Sequence, residues 1–370
     1  MSVYYLYFAC LILPLALYWV LPEKFALYPV VAATIVFLGI ISPFALLVLT
    51  FTSFSTYFIS QKITHENHLL LLVVIQAMAL FVLFKSGFSG LSRLIPVGFS
   101  YYTFRQIHYA IDAYKNRLPR HTPGDFLKYM FYLPTFLIGP INRFQPFLID
   151  SKRKRWNPEM FSTGLERLLY GGVKINFLGN YLCSFYAGRL INSIENEWWA
   201  SYLSMVQFSA NAYFQFSGYS DLAIGLSYLF GIRMIENFNY PFLAKNISDF
   251  WNRWHISLSE WCRDYVFLPV LIFSRNALFS IGCSMLILAF WHEFSWRYVL
   301  WGLSHAVAIQ VFNYYRTTRM ARQLEGFPRL RAWAGNLVTL HFVMLSFVLI
   351  KEDNLGESLR EIAKILCIRF

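Results

Sequence analysis

Residues 235–263 read IENFNYPFLAKNISDFWNRWHISLSEWCR. The stretch is too polar to cross a bilayer in contact with lipid, yet it lies between strongly hydrophobic segments. Asn246, Ser248 and Asp249 offer a capping start, and Phe250, Trp254, Leu258 and Trp261 recur at helical spacing. This predicts a short helix that dips into the protein interior. An apolar chain that keeps such a segment is a helical membrane protein with elements that do not span.

The composition agrees. The 370 residues are 57% apolar and 19% aromatic, with 14% charged and a mean hydropathy of +0.45. Soluble domains carry about 25% charged residues. These values exclude a disordered chain, a disulfide scaffold and an ordinary soluble enzyme, and a β-barrel would dilute its apolar residues by alternation. A membrane helix needs about 20 largely apolar residues. Candidates are 3–21, 25–42, 43–60, 69–84, 97–111, 162–188, 198–216, 220–233, 264–274, 277–291, 296–313 and 337–350. Run 3–21 lacks a basic leader and a small-residue cleavage site, so it reads as a retained helix. The tail 355–370 is amphipathic, with Leu359, Ile362, Ile365 and Leu366 apolar, and is expected along the membrane surface. No internal repeat or separate soluble domain is visible, so residues 1–370 read as one membrane domain.

The net charge of +12 is concentrated in three stretches. Residues 115–128 carry +3, and 142–155 and 316–331 carry +4 each. Basic loops between apolar runs follow the positive-inside rule and place these loops in the cytoplasm, with no nucleic-acid partner. Between the first two lies LKYMFYLPTFLIGPI (127–141), with two prolines. If both flanking loops are cytoplasmic, this segment enters and leaves on one side.

Of eight histidines, His65, His68 and His121 sit in polar loops and read as solvated. His108 and His341 lie in apolar runs and suit packing. His255, His292 and His305 are the ionisable residues at membrane depth that call for an explanation. There is no HExxH, and His292 and His305 are 13 apart, so no metal site is expected. The five cysteines form no metal spacing, and no GxSxG exists. General-base chemistry by a histidine fits better, because desolvation keeps an imidazole neutral and able to take a hydroxyl proton. Asn211, Gln215, Tyr219, Ser220, Asp221 and Asn239 are polar residues in apolar context. In FQFSGYSD a helix break is expected at the glycine, and Asp221 is an acid catalyst, a helix cap or the buried partner of an arginine such as Arg253 or Arg263.

The run NFNYPFLAKNISDFWNRWHISLSEWCRDYVFLP (237–269) resembles the signature of membrane-bound O-acyltransferases, the MBOAT superfamily. It is most similar to the bacterial branch holding alginate O-acetyltransferases and the teichoic-acid D-alanyl transfer protein. PVGFSYYTFRQIHYAIDAYKN (96–116), GPINRF (139–144), FQFSGYSDLAIG (214–225) and FWHEFSWRYVLWGLSHA (290–306) follow in the family's order, so the motif-bearing core covers about 95–306. The resemblance implies an all-α polytopic fold, a ring of about 10–12 tilted transmembrane helices with re-entrant segments around a central tunnel. It implies a catalytic His292, a second functional His255, and a bacterial inner-membrane location. Asn239, Trp254, Ser257, Asp249, Trp291, His305, Tyr219 and Asp221 are then tunnel-lining candidates. No tightly bound cofactor is implied. The donor is an acyl-CoA or a phosphopantetheine thioester on a carrier protein, with Arg143, Lys152, Arg153, Lys154 and Arg155 as docking candidates. Acetyl transfer to an envelope glycan is favoured, and D-alanyl transfer to a teichoic-acid-like polymer is the alternative. An extracytoplasmic esterase-like partner would act beside membrane lipid. A transporter or inactive scaffold would use the same polar centre without chemistry. The family pattern has glycine after the Trp-His pair, where this chain has Glu293. The missing glycine is expected to forbid a close backbone approach, and the carboxylate to favour the charged imidazolium.

Overall fold

Prolines and small polar caps divide the apolar chain into helices. The computed structural model describes residues 3–63, 68–85 and 96–368. Among these residues all regular structure is helical, apart from an isolated bridge between Phe238 and Trp254. The chain divides into two units, Met1–Tyr170 with Ser220–Ile235, and Gly171–Tyr219 with Glu236–Phe370.

The first unit contains α1 (Val3–Val20), α2 (Tyr28–Ile41), α3 (Pro43–Ser60), α4 (Leu69–Lys85), α5 (Phe99–Tyr114), α6 (Pro123–Met130), α7 (Phe144–Ser151) and most of α8 (Pro158–Gly172). Proline opens α2, α3 and α6, where its missing N–H costs nothing. Ser42 caps α3 by accepting from the Ala45 N–H at 3.2 Å. Helix α5 buries Arg105, Gln106 and His108, which is unusual for charged and polar side chains.

The reason lies in residues 131–143, where the chain leaves α6 in a short 3-10 turn, Leu133–Thr135, and continues without regular structure to α7. Most of this backbone is buried, and several of its carbonyl oxygens accept from side chains. Thr34 donates to Phe131 at 2.6 Å, Tyr7 to Pro134 at 3.0 Å, and Arg105 to Thr135 at 2.6 Å and Tyr129 at 3.3 Å. Irregular backbone at such depth survives only when satisfied in this way. The ends of the segment come back together, since Lys128 and Lys152 both reach the Asp125 carboxylate, at 3.6 and 3.3 Å. The basic stretches 115–128 and 142–155 thus touch through Lys152 and Asp125.

The second unit holds a π-helical run, Val173–Ala187, then α9 (Gly188–Asn192), the part of α10 (Glu197–Leu229) up to Tyr219, α11 (Ile247–Trp251), α12 (Ile256–Cys262), α13 (Leu268–Ser274), α14 (Ala277–His292), α15 (Trp296–Tyr315), α16 (Arg319–Gln323), α17 (Pro328–Lys351) and α18 (Leu355–Ile365). Met205, Met344, Val348 and Ile365 form one core cluster. The amphipathic tail therefore turns Ile362 and Ile365 onto the protein, while Leu359 stays exposed.

One expectation needs correction. The break expected at Gly218 is absent, because α10 runs through it without interruption. A Cβ at Gly218 would lie 2.7 Å from Ile175 and 3.0 Å from the Gly171 carbonyl oxygen, so the glycine serves close packing. Among the described residues, Pro43–Ser60 and Pro328–Lys351 are long and apolar enough, by length and composition, to cross a membrane. Leu6–Val20, Tyr28–Ile41, Leu69–Lys85 and Ala277–His292 are apolar but shorter. Run 162–188 passes into π-helix, and run 264–274 begins in one, Arg263–Phe267, which divides each.

Candidate active site

The Arg-Trp-His-Ile-Ser segment is built around a helix break. Asn246 caps α11, accepting from the Asp249 N–H at 2.8 Å, as its position predicts. The single helix expected beyond it is two, α11 and α12, separated by residues 252–255. Asn237 causes the break. Its carbonyl oxygen accepts from the Ile256 N–H at 3.0 Å, and its side chain accepts from the Ser257 hydroxyl at 2.6 Å and N–H at 3.3 Å. The Asn239 N–H donates to the Arg253 carbonyl at 3.0 Å. These bonds replace the helical ones and hold His255 in the left-handed region, φ 46° and ψ 52°. Such a conformation is uncommon for a side-chain-bearing residue and persists only when its surroundings fix it.

The result is a buried imidazole in a defined place. His255 is 2% exposed, lies edge-on to Phe216 at 4.6 Å and sits 5.5 Å from Trp291. Its Nε2 has no hydrogen-bond partner among the described residues. Trp254, by contrast, packs into a core of Phe238, Phe250 and Phe347.

His292 is the last residue of α14, and it is exposed. It stacks on Tyr298 at 5.4 Å and lies 5.9 Å from Trp301 and 4.5 Å from Trp291. Its neighbour Trp291 is also the ring that faces His255. The pair thus comprises one accessible imidazole and one buried imidazole, with Trp291 between them. His305 continues the chain of rings, 4.9 Å from Trp301 and 5.2 Å from Trp251, and is fully buried. The Ser346 hydroxyl gives its proton to the Val343 carbonyl at 2.7 Å, so at 2.9 Å it accepts from His305 Nε2.

Glu293 does not behave as its sequence position implies. Its φ of −160° and ψ of 143° are extended backbone that any residue adopts, so no glycine is needed there. Its carboxylate pairs with Arg297, one guanidinium nitrogen lying 3.1 and 3.2 Å from its two oxygens. Arg297 also donates to the Glu352 carbonyl oxygen.

The remaining candidates divide by unit. Asp249 accepts from Arg253 at 2.7 Å and from the Lys245 N–H at 3.0 Å, Ser257 is held by Asn237, and Asn239 is exposed. Tyr219 is half-buried on α10. Asp221 belongs to the first unit and pairs with Arg167 at 2.6 Å; Arg263 pairs with Asp264. The expected partners of Asp221, Arg253 and Arg263, are therefore replaced by Arg167. Among the basic docking candidates, Arg143 is half-buried ahead of α7, Lys152 reaches Asp125, and Lys154 caps the end of α1 through the Trp19 and Leu21 carbonyls at 3.0 and 2.6 Å. Arg153 and Arg155 are exposed. His121 is not solvated as expected, since it contacts the Tyr109 hydroxyl and the Pro119 carbonyl, each at 2.7 Å. His68 is exposed, His108 and His341 are packed and hydrogen-bonded, and His65 lies outside the described residues. Asn237, Arg297, Tyr298 and Trp301 were not singled out by the sequence. Only Arg297 had a signal there, four residues after Glu293 at helical pairing distance.

The site thus brings together two histidines of unlike exposure, one at a helix end and one at a helix break, and comparison with known proteins gives the family. Residues 38–350 match the MBOAT, membrane-bound O-acyltransferase family, and the chain belongs to that family. It is 32% identical over 269 residues to the probable alginate O-acetylase AlgI of Pseudomonas aeruginosa, covering 71% of this chain and 50% of that protein. It is 34% identical over 277 residues to the teichoic acid D-alanyltransferase of Bacillus subtilis, covering 68% and 67%. To the peptidoglycan O-acetyltransferase of Helicobacter pylori it is 29% identical over 317 residues, covering 75% and 58%. The chain thus spans half to two thirds of the length of these relatives.

Proposed function

We propose that this chain is a membrane-bound O-acyltransferase that moves a short acyl group, acetyl in the favoured case, from a cytoplasmic thioester to hydroxyls of a cell-envelope glycan. The observation that carries the reading is the accessible His292 at the end of α14, held beside the buried His255. His292 takes the proton of the acceptor hydroxyl as its oxygen attacks the thioester carbonyl. The C–S bond breaks, the thiolate leaves, and the proton passes from the imidazole to the thiolate. His255, fixed in its left-handed turn, orients or polarises the donor or acceptor. The acyl group arrives as a CoA or carrier-protein phosphopantetheine thioester, with no tightly bound cofactor. Arg143, Lys152, Arg153, Lys154 and Arg155 are the basic groups offered to such an anionic donor, and Arg153 and Arg155 are exposed.

The family's ring of tilted helices around a tunnel, a bacterial inner-membrane location and an extracytoplasmic esterase-like partner belong to the same reading. D-alanyl transfer to a teichoic-acid-like polymer is the second reading, supported by the 34% identity to the Bacillus subtilis D-alanyltransferase. The test is thioester turnover by purified protein in lipid nanodiscs. His292→Ala should insert and purify normally with transfer lowered more than about a hundredfold, the scale of general-base catalysis. Undiminished transfer would overturn the assignment. Mass spectrometry of envelope polymers with and without the protein separates acetyl from D-alanyl esters.

A further inference from the structure

Arg297 makes two unlike contacts at once. Toward its own helix start it pairs with the Glu293 carboxylate, and away from it donates to the Glu352 carbonyl, where α17 gives way to the turn before α18. Its side chain is only 13% exposed, while that of Glu293 is 42% exposed. The corner that presents His292 is thereby fastened to the end of a different helix.

The contact has an electrostatic consequence. His292 is the C-terminal residue of α14, where the helix dipole favours a cation. A free carboxylate on the next residue would add to that effect and favour the protonated imidazole, the form that cannot act as a base. Tyr298, next to Arg297 in the chain, is the ring stacked on His292. Other ionisable groups on the elements packed against this corner are His255, Glu260, Cys262, Tyr265, the Arg263–Asp264 pair and the Lys351–Glu352 pair at the end of α17, together with His305 beyond Trp301. Of these, only the Glu293 carboxylate is adjacent to His292 in the chain.

We propose that Arg297 is a positioning residue for the acyl transfer: it cancels the Glu293 charge so that His292 stays neutral, and it clamps the His292 corner through Glu352. The inference rests on the reading of His292 as general base. It predicts pH shifts of opposite sign from the two members of one ion pair. Glu293→Gln leaves a lone guanidinium near His292 and should move the acid limb of kcat/KM down by about half a pH unit. Arg297→Met leaves a lone carboxylate and should move it up by a similar amount, and the double variant should return it close to wild type. Arg297→Lys should rescue the position of the limb.

The experiment follows free-thiol release from acetyl-pantetheine and D-alanyl-pantetheine across pH 5 to 9, in nanodiscs. Opposed shifts support the proposal. Coincident limbs with merely lowered kcat mean a structural role and overturn it. Should Arg297→Met fail to fold, Glu293→Gln still decides, because it keeps the Glu352 clamp. Retained turnover in His292→Ala would instead defeat the general-base reading, so the two failures are distinct.

Discussion

Asn237 and Arg105 perform the same service in different units, satisfying backbone that has left the helical pattern. Asn237 accepts both donors of Ser257 and so allows the chain to turn at His255. Asn237→Ala would leave those buried donors unmet, and we expect a loss of about 2 kcal/mol, read as a lower thermal midpoint in detergent. Activity should fall further than stability, because the left-handed His255 is what the bonds support. Arg105 donates to the Thr135 and Tyr129 carbonyls from a fully buried position. Arg105→Met should cost roughly 3 kcal/mol, measured the same way, since it strands carbonyls that no water reaches. Neither role was legible beforehand, because an asparagine or arginine in a greasy sequence reads as a reactive group until its acceptor or donor is known.

Among the elements, α8 and α10 cross so closely in the first unit that glycine is required. A Cβ at Gly225 would lie 2.7 Å from the Gly164 carbonyl oxygen. Gly225→Ala should therefore destabilise by about 1–3 kcal/mol. Gly172→Ala, where an added Cβ meets nothing within 4 Å, should stabilise α8 by up to about 1 kcal/mol. The start of α6 shows a second kind of control. Thr122 and Asp125 form a reciprocal cap, with the Thr122 hydroxyl accepting from the Asp125 N–H and the Asp125 carboxylate from the Thr122 N–H. Burial alone would push the Asp125 carboxyl up, but the Thr122 hydrogen bonds and the Lys152 ammonium hold it below the usual range. Its contribution is complete above the ordinary carboxylate pKa of about 3.9 and is lost as pH falls through the lowered folded value. Asp125→Asn should be less stable than wild type near neutrality and match it in acid, a difference that unfolding midpoints at pH 7 and pH 2.5 would register. The Asn246 cap was legible because capping is a local rule. The break after α11 was not, because its cause, Asn237, lies 20 positions before the Ser257 it holds.

At the scale of the molecule, the charge pattern makes the topological prediction. The stretches 115–128 and 142–155 meet through Lys152 and Asp125, as two loops on one side of a membrane can. Single cysteines introduced at Arg155 and Arg331 into a cysteine-free background should react in intact cells only with membrane-permeant reagents. Labelling of either by an impermeant reagent would overturn the cytoplasmic placement of that loop.

Composition, hydropathy and charge determined by themselves that the chain is helical, that it belongs with membrane proteins, and which motif carries its histidines. These are local or additive properties, summed along the chain and independent of which segments touch. Only the tertiary structure decided that His255 is buried and His292 accessible, that Asp221 meets Arg167 and that α10 continues through Gly218. Each of these depends on a partner brought close by packing, up to 54 positions away for Asp221. Burial and pairing set the charge state of a side chain, and with it the chemistry, and no single segment contains both halves of that information.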